Sequence, residues 1–161
     1  MDPFSAQLNE LLVSTYRSVS KVEELMLRSL SKDNLSIGEM HMLESIGRDR
    51  EDGVIITDIA QEMGVTLPSV TTAIKKLEKK GYVTKARHRQ DGRMVCVRLT
   101  ERGLRAEIAH RYFHRQMVRR VAKSLSEDEK RVLMSVLKNL NEFFRRQVDE
   151  LEHPALKPKG D

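Results

Sequence analysis

Two histidines, His110 and His114, have the spacing in this chain that best suits metal chemistry. Side chains four residues apart project from the same face of a helix, so both imidazoles can point at one ion. A third histidine and a carboxylate would complete the four ligands of a tetrahedral zinc site. A lone pair of this kind is more often hydrogen-bonded than metal-bound, and the spacing leaves both interpretations open.

Lysine and arginine form a second chemical group, and they are unevenly distributed along the 161 residues. Residues 1–52 carry 6 basic and 10 acidic side chains, residues 53–103 carry 10 and 5, and residues 104–161 carry 13 and 9. A local cationic excess is typical of surfaces that face nucleic acid, an acidic protein or a membrane. The distribution therefore predicts an anionic partner for the chain after residue 53.

Several functional classes are disfavoured by what the sequence lacks. It has no glycine-rich phosphate loop, no G-x-S-x-G and no Cys-x-x-Cys motif, so we expect that the protein is not an enzyme. The longest uncharged stretch, Met63 to Ile74, is too short to span a membrane, and the first residues lack a secretory signal. The single cysteine, Cys96, excludes an internal disulfide and favours the cytoplasm, while the basic helix predicted below has no broad aromatic face for a membrane surface.

Hydrophobic periodicity predicts long helices at both ends of the chain. Apolar residues at spacings of three and four predict a helix over residues 4–31, and a similar pattern predicts one over residues 101–123. Capping boxes at Ser36-x-x-Glu39 and Ser126-x-x-Glu129 mark the starts of the second and the last helix.

The middle of the chain has the pattern of a helix-turn-helix. Thr57 is predicted to cap a short helix, Asp58 to Met63, which stops at Gly64. Thr66 is predicted to cap a longer helix that ends at Lys80-Gly81. An ordinary helical hairpin would give the same pattern, whereas in DNA-binding proteins the second helix enters the major groove.

Two β-rich runs follow, over residues 82–85 and 94–99, and they predict a hairpin with an Asp-Gly turn signal. Cationic side chains on a narrow hairpin suit the negative potential of a minor groove. The tip of this hairpin carries Arg87, His88, Arg89 and Arg93. A helix-turn-helix followed by a basic hairpin is a winged helix, which favours DNA over the ordinary hairpin.

The predicted fold is therefore mainly α with a small β-wing, a winged helix-turn-helix core flanked by N- and C-terminal dimerisation helices. We predict a DNA-binding domain over residues 36–103, dimerisation helices over residues 1–35 and 104–152, and a flexible tail over residues 153–161. A two-fold dimer would place two reading helices about 34 Å apart on pseudo-palindromic DNA. The alternative is that both apolar stripes pack within one chain.

The wing sequence resembles the MarR family of winged-helix transcriptional regulators. Residues Asp91 to Gly103 match its D-x-R-x-x-x-V-x-L-T-x-x-G signature at every position, and Ile59-Ala60, Val65-Thr66 and Leu77 to Val83 also match. The resemblance implies an obligate homodimer that binds double-stranded DNA at the nucleoid and represses or activates transcription, and we expect a repressor. It also implies an effector that binds between the dimerisation layer and the reader and changes the affinity for DNA.

By the same resemblance, specific side chains should meet DNA. On the second helix of the motif, these are the positions that lie away from its buried apolar face: Pro68, Ser69, Thr71, Thr72 and Lys75. On the wing, Arg89 and Arg93 would reach the minor groove or its phosphates, beside Arg87. Asp91 would orient an arginine.

The first effector hypothesis comes from one branch of the family. Glu39-Met40-His41 and the run His110 to Val118 resemble the fatty-acid-biosynthesis repressors of Gram-positive bacteria. In those proteins the corepressor is acyl-carrier protein bearing a long acyl chain. The basic helix after residue 103 would suit such an acidic partner, with a small apolar ligand as the simpler form of the hypothesis and a solvated arginine-rich face as the alternative.

Zinc is the second effector hypothesis. Zinc-responsive members of the family place their ligands at positions that here are His41, His110, His114 and either Glu24 or its neighbour Glu23. The match is partial, because those regulators have a denser histidine run and a cysteine in the first helix. From a different class, a basic protein-interaction module without sequence-specific DNA binding is also compatible with the charge. Redox sensing by Cys96 is disfavoured, since a small strand residue accounts for it.

Overall fold

A computed structural model describes residues 2–30, 35–87 and 94–152, and it is mainly helical with a small antiparallel sheet. In chain order the elements are α1 (Pro3–Leu30), α2 (Ile37–Ile46), β1 (Val54–Ile55), α3 (Ile56–Met63), α4 (Leu67–Lys79), β2 (Val83–Arg87), β3 (Val95–Leu99), α5 (Glu101–Lys123) and α6 (Glu127–Glu152). The predicted fold class, a winged helix-turn-helix with long terminal helices, is confirmed. The predicted Asp-Gly turn and the tail 153–161 lie outside the described residues. No helix in the described ranges is long and apolar enough to cross a membrane.

Both predicted capping boxes are confirmed. Ser36 Oγ accepts from the backbone N–H of Glu39, and the Glu39 carboxylate accepts in return from the Ser36 backbone, at 3.2 and 2.9 Å. At the start of α6, Ser126 and Glu129 repeat the arrangement at 3.3 and 2.8 Å. Each box satisfies two amides that the first turn of a helix would leave without partners, which fixes where the helix begins.

The prediction that Thr57 caps the short helix is wrong. α3 begins two residues earlier, at Ile56 with Ile55 at the cap position, and the Thr57 hydroxyl donates to the adjacent Asp58 carboxylate at 3.3 Å. The reason is β1, a two-residue strand that pairs with β3 and leads directly into the helix. Two residues show no periodicity, so this third strand, which gives the sheet the order β1-β3-β2, was not predicted from the sequence.

The chain divides into two compact units, Met1–Phe113 and His114–Asp161, and the hydrophobic core belongs to the first. The predicted inner face of α4 is fully buried, and it packs in this core with side chains from α2, α3 and the sheet. Buried members of the core include Leu43, Ile46, Ile59, Val70, Ile74, Leu77 and Val97. The core therefore fixes α4 by one face and leaves the opposite face at the surface.

The terminal helices keep much of their apolar surface exposed. Described side chains of α6 are nowhere buried, and those exposed include Leu133, Val136, Leu137, Phe143 and Phe144. Within the first unit, α1 exposes Leu8, Leu11, Leu12, Val19 and Val22. Large apolar side chains exposed in such numbers along a helix are typical of a protein–protein interface.

Candidate functional site

The outer face of α4 is one candidate site. The predicted contact residues Pro68, Ser69, Thr72 and Lys75 are exposed, and Thr71 is half-buried. The Thr71 hydroxyl donates to the carbonyl of Leu67 at 2.9 Å. Because its proton is used in this bond, the Thr71 oxygen can only accept a hydrogen bond from another group.

The first turn of α4 is arranged to receive an anion. Thr66 occupies the cap position, but in the described structure its side chain makes no capping bond and contacts the Ser69 hydroxyl at 2.8 Å instead. Pro68 in this turn has no N–H to lose. The remaining amides of the turn must be satisfied from outside the helix, and a phosphate at a helix N-terminus does this while matching the helix dipole.

The base of the wing is well defined. β2 and β3 pair in antiparallel register from Val83↔Leu99 to Arg87↔Val95, and Arg87 is exposed at the end next to the segment that connects the two strands. Arg98 fastens the wing to the preceding loop by donating twice to the carbonyl of Asp52, at 3.2 and 3.1 Å. Cys96 is buried, with Sγ 3.4 Å from the carbonyl of Ala86. Arg89, Asp91 and Arg93 lie outside the described residues.

A junction fixes the end of α4 against the start of α5. The Thr100 hydroxyl donates to the carbonyl of Gly81 at 2.7 Å and accepts from the Gly103 amide at 3.1 Å. Arg102 donates to the carbonyl of Lys80 at 2.7 Å, and its guanidinium lies 4.4 Å from the ring centroid of Tyr82. Thr100 and Gly103, the Thr and Gly of the wing signature, thus fix the position of the C-terminal end of α4.

Lys80 connects the same junction to α2, a link that sequence reasoning missed. Its Nζ lies 2.9 and 2.8 Å from the two carboxylate oxygens of Glu39. Burial opposes ionisation of Glu39, but hydrogen bonds from Lys80 and the Ser36 backbone outweigh it, so the pKa of Glu39 falls below its ordinary value. Glu39 is therefore ionised at neutral pH.

A polar cluster, defined as Glu23, His41 and His110, joins three helices of the first unit. Potential ligand atoms of the three side chains lie within 4.8 Å of one another. Glu23 and His110 are buried, whereas His41 is exposed, and the two rings meet edge to face with centroids 6.1 Å apart. His110 Nδ1 lies 2.6 Å from the carboxylate of Glu44.

Two other predicted effector residues, Glu24 and His114, are not members of this cluster. Glu24 is half-buried and pairs with Lys21 and Arg28, and the Lys21 hydrogen bond is the main reason that its pKa is lowered. Of the two neighbouring glutamates, Glu23 is the one in the polar cluster. His114 is the first residue of the second compact unit, one helical turn after His110 along α5.

Comparisons with known proteins agree with this geometry. The MarR family matches residues 35–95. The HTH-type transcriptional regulator BilQ of Clostridium symbiosum is 30% identical over 112 residues, which cover 69% of this chain and 76% of BilQ.

Solved structures extend the match to nearly the whole fold. A crystal structure of Streptococcus pneumoniae FabT in complex with DNA is 35% identical and has a TM-score of 0.81, covering 89% of this chain and 99% of FabT. A MepR–DNA complex from S. aureus has a TM-score of 0.64 at 22% identity, covering 81% of this chain and 96% of MepR, and it supports the fold alone. The relatives are transcriptional regulators, which confirms that the protein is not an enzyme. With the winged helix-turn-helix, the wing signature and these similarities together, the chain belongs to the MarR family of transcriptional regulators.

Proposed function

We propose that this protein is a repressor that binds pseudo-palindromic double-stranded DNA as a homodimer, in the cytoplasm. The observation that carries the proposal is the division of α4 into a fully buried face and an exposed face with an anion-receptive first turn. Hydroxyl and lysine side chains on the exposed face suit bases and phosphates. The FabT structure, a complex with DNA at 35% identity, supports the same use of the fold.

The apolar surfaces of the terminal helices support the homodimer. A surface of this kind costs solubility in a monomer, and a two-fold dimer would cover it while duplicating the reading helix. The two copies of α4 would then meet successive major grooves.

Fluorescence anisotropy with a duplex enriched from a random-sequence pool tests the proposal. Ser69→Glu puts a negative charge at the start of α4 and should weaken binding at least tenfold by repelling phosphate. Gln7→Glu adds the same charge on exposed α1 and should bind as the wild type does. If no sequence is enriched, or if Ser69→Glu binds normally, the DNA-reading role is wrong and a protein-interaction module becomes the better description.

Zinc is the effector that the polar cluster favours. Its two imidazoles and one carboxylate are ligands that zinc takes in proteins, and a fourth ligand would complete a tetrahedral set. Metal-binding histidines usually hydrogen-bond a carboxylate through the ring nitrogen that does not bind the metal. Glu44, at His110 Nδ1, would orient His110 in this way and leave Nε2 for zinc. Zinc bound here would tie α1, α2 and α5 together.

Neighbouring glutamates supply a matched test of the zinc hypothesis. Glu23→Gln and His41→Ala should each lower zinc affinity tenfold or more, measured by competition with a chromogenic chelator. Glu24→Gln changes the adjacent carboxylate and should leave the affinity unchanged. Equal affinities in Glu23→Gln and Glu24→Gln would remove zinc from the polar cluster.

The acyl chain presented by acyl-carrier protein, or a small apolar ligand, is the second effector candidate. The likeness to FabT supports the resemblance to the fatty-acid repressor branch. A mainly apolar cleft of about 630 Å³ between α1 and the start of α2 would suit a chain of this kind, because Leu27, Leu35 and Ile37 line it and Arg17 and Lys21 add charge. Acyl-carrier protein with and without its acyl chain, added to the anisotropy assay, should shift DNA affinity only when acylated; equal effects would exclude this cleft as an acyl site.

A further inference from the structure

A second cleft, the arginine cleft, opens between the end of α2, the loop after it and the middle of α5. Its volume is about 610 Å³, and it is lined by Glu44, Gly47, Arg48, Arg50, Glu107 and Arg111. None of these residues belongs to the outer face of α4, to the wing or to the polar cluster. All of them lie in the first compact unit.

Glu107 organises the arginine cleft. Its side chain is only 6% exposed, and its two carboxylate oxygens face different arginines, Arg50 Nη2 at 3.2 Å and Arg111 Nη1 at 3.3 Å. Two guanidinium groups thus share one buried carboxylate, which leaves an uncompensated positive charge between them. A fixed excess charge beside an open cleft attracts an anion.

The two guanidinium groups retain capacity to bind. Their contacts with Glu107 are longer than the roughly 2.7–2.9 Å of tight charge-assisted hydrogen bonds, and each contact uses one nitrogen of a group that has five N–H donors. Both side chains are about half exposed, at 46% for Arg50 and 50% for Arg111. Their remaining donors can therefore reach a solute in the cleft.

The remaining charged residues that line the arginine cleft determine its net charge. Arg48 adds a third guanidinium, held by an ion pair with Glu62. Glu44 opposes an anion, but its carboxylate lies against His110 at 2.6 Å. Because Arg48 is neutralised by Glu62, the excess positive charge lies at the wall where Arg50 and Arg111 share Glu107.

We propose that the arginine cleft binds the oxyanion group of a small molecule, a phosphate monoester or a carboxylate, between Arg50 and Arg111. The fork of a guanidinium matches either group with two parallel hydrogen bonds. Glu107 is a positioning residue, because it holds both arginines at the cleft wall and does not itself contact the anion. The occupant would lie beside Glu44 and so beside the contact that orients His110.

Isothermal titration calorimetry of the full chain with inorganic phosphate and with acetate tests this site, at ionic strength held constant with chloride. We expect saturable binding of at least one probe, and the probe that binds more tightly identifies the class of ligand. Arg50→Gln and Arg111→Gln should each weaken binding roughly tenfold or more, because each removes a charged donor pair. The matched control is Arg105→Gln, whose arginine lies on the same helix and pairs only with Glu101 among its described contacts.

Arg50→Lys separates binding from folding. It keeps the ion pair to Glu107 and loses the fork, so we expect a normal unfolding transition and intermediate affinity. No saturable heat with either probe, or wild-type affinity in Arg50→Gln and Arg111→Gln, would overturn the proposal. Because no DNA is present, failure here is distinguishable from failure of the proposed DNA binding.

Discussion

Lys80, at the end of the reading helix α4, contacts both carboxylate oxygens of Glu39, a residue that also closes the capping box of α2. One carboxylate therefore serves the start of one helix and the end of another. Two residues that follow Glu39 along α2, His41 and Glu44, contact His110. α2 thus connects the candidate effector residues to the helix that reads DNA.

Glu39→Gln should destabilise the protein by about 1–2 kcal/mol, because it removes a partly buried charged partner and weakens the capping box. Urea denaturation followed by circular dichroism measures the change. Glu101→Gln, which removes an exposed ion pair with Arg105, is the control and should cost less than about 0.5 kcal/mol. Equal costs would show that the Glu39–Lys80 contact carries no more weight than a surface pair.

The stability conferred by Glu39 should depend on pH with a defined sign. Its pKa in the folded protein lies below the ordinary value of 4.5, so ionised Glu39 contributes its full stabilisation above pH 4.5. The contribution disappears as pH falls through the lowered pKa. The free-energy difference between wild type and Glu39→Gln, measured by urea denaturation from pH 7 to pH 3, should therefore be constant at first and shrink below about pH 4.5. A difference that grows on acidification would contradict this assignment.

Gly103→Ala should be among the most damaging small substitutions in the chain. A Cβ at this position would stand 2.1 Å from the carbonyl oxygen of Tyr82, so the backbone at the junction of α4 and α5 must move. We expect a loss of about 3 kcal/mol, at the upper end of the usual cost of overpacking, together with weaker DNA binding. Thermal unfolding and anisotropy measure the two effects.

Gly38→Ala is the matched control for that substitution. No atom lies within 4 Å of its added Cβ, and alanine is the better helix former by about 1 kcal/mol or less. This variant should be neutral or slightly more stable. Similar losses at both positions would mean that the close approach at Gly103 is not the cause.

Lys75→Ala should lower the salt dependence of DNA binding as well as the affinity. If Lys75 neutralises one phosphate, the slope of log K against log salt concentration should become shallower by about 1 per subunit. Lys138→Ala, on exposed α6, should leave the slope unchanged. Anisotropy titrations at several salt concentrations measure the slopes, and identical slopes for all three proteins would remove Lys75 from the interface.

Leu137→Glu should dissociate the proposed homodimer, because it puts a charge in the exposed apolar stripe of α6. Lys138→Glu changes the adjacent residue, outside the stripe, and should remain dimeric. Size-exclusion chromatography with light scattering measures both masses. A monomeric wild type, or a dimeric Leu137→Glu, would show that this stripe has another purpose.

The sequence was sufficient to predict those features of the fold that depend on one capping residue or on one face of a single helix. The boxes at Ser36 and Ser126 fixed helix starts, and the stripe of Val70, Ile74 and Leu77 fixed the inner face of α4. These features depend on contacts within a turn or two of one helix. Sequence patterns report such contacts directly.

Contacts between side chains of different elements could not be predicted from the sequence. Glu23 and Glu24 are adjacent in sequence but about 100° apart around α1, so only the rotation of α1 against α2 and α5 decides which one meets the histidines. The contacts Glu39–Lys80 and Arg50–Glu107 join residues 41 and 57 positions apart. Nothing in the spacing of single residues encodes these pairs, because they depend on how whole elements pack.

The two sides of α2 make different contacts, and this bears on how the effector of such a regulator could change during evolution. This helix has 10 residues, and Glu39 lies roughly opposite His41 and Glu44 around its axis. Substitutions on the side of His41 could replace the candidate metal ligands with apolar or cationic groups and leave the Glu39–Lys80 connection untouched. A lineage built on this helix could therefore acquire a new ligand while its DNA target stays the same.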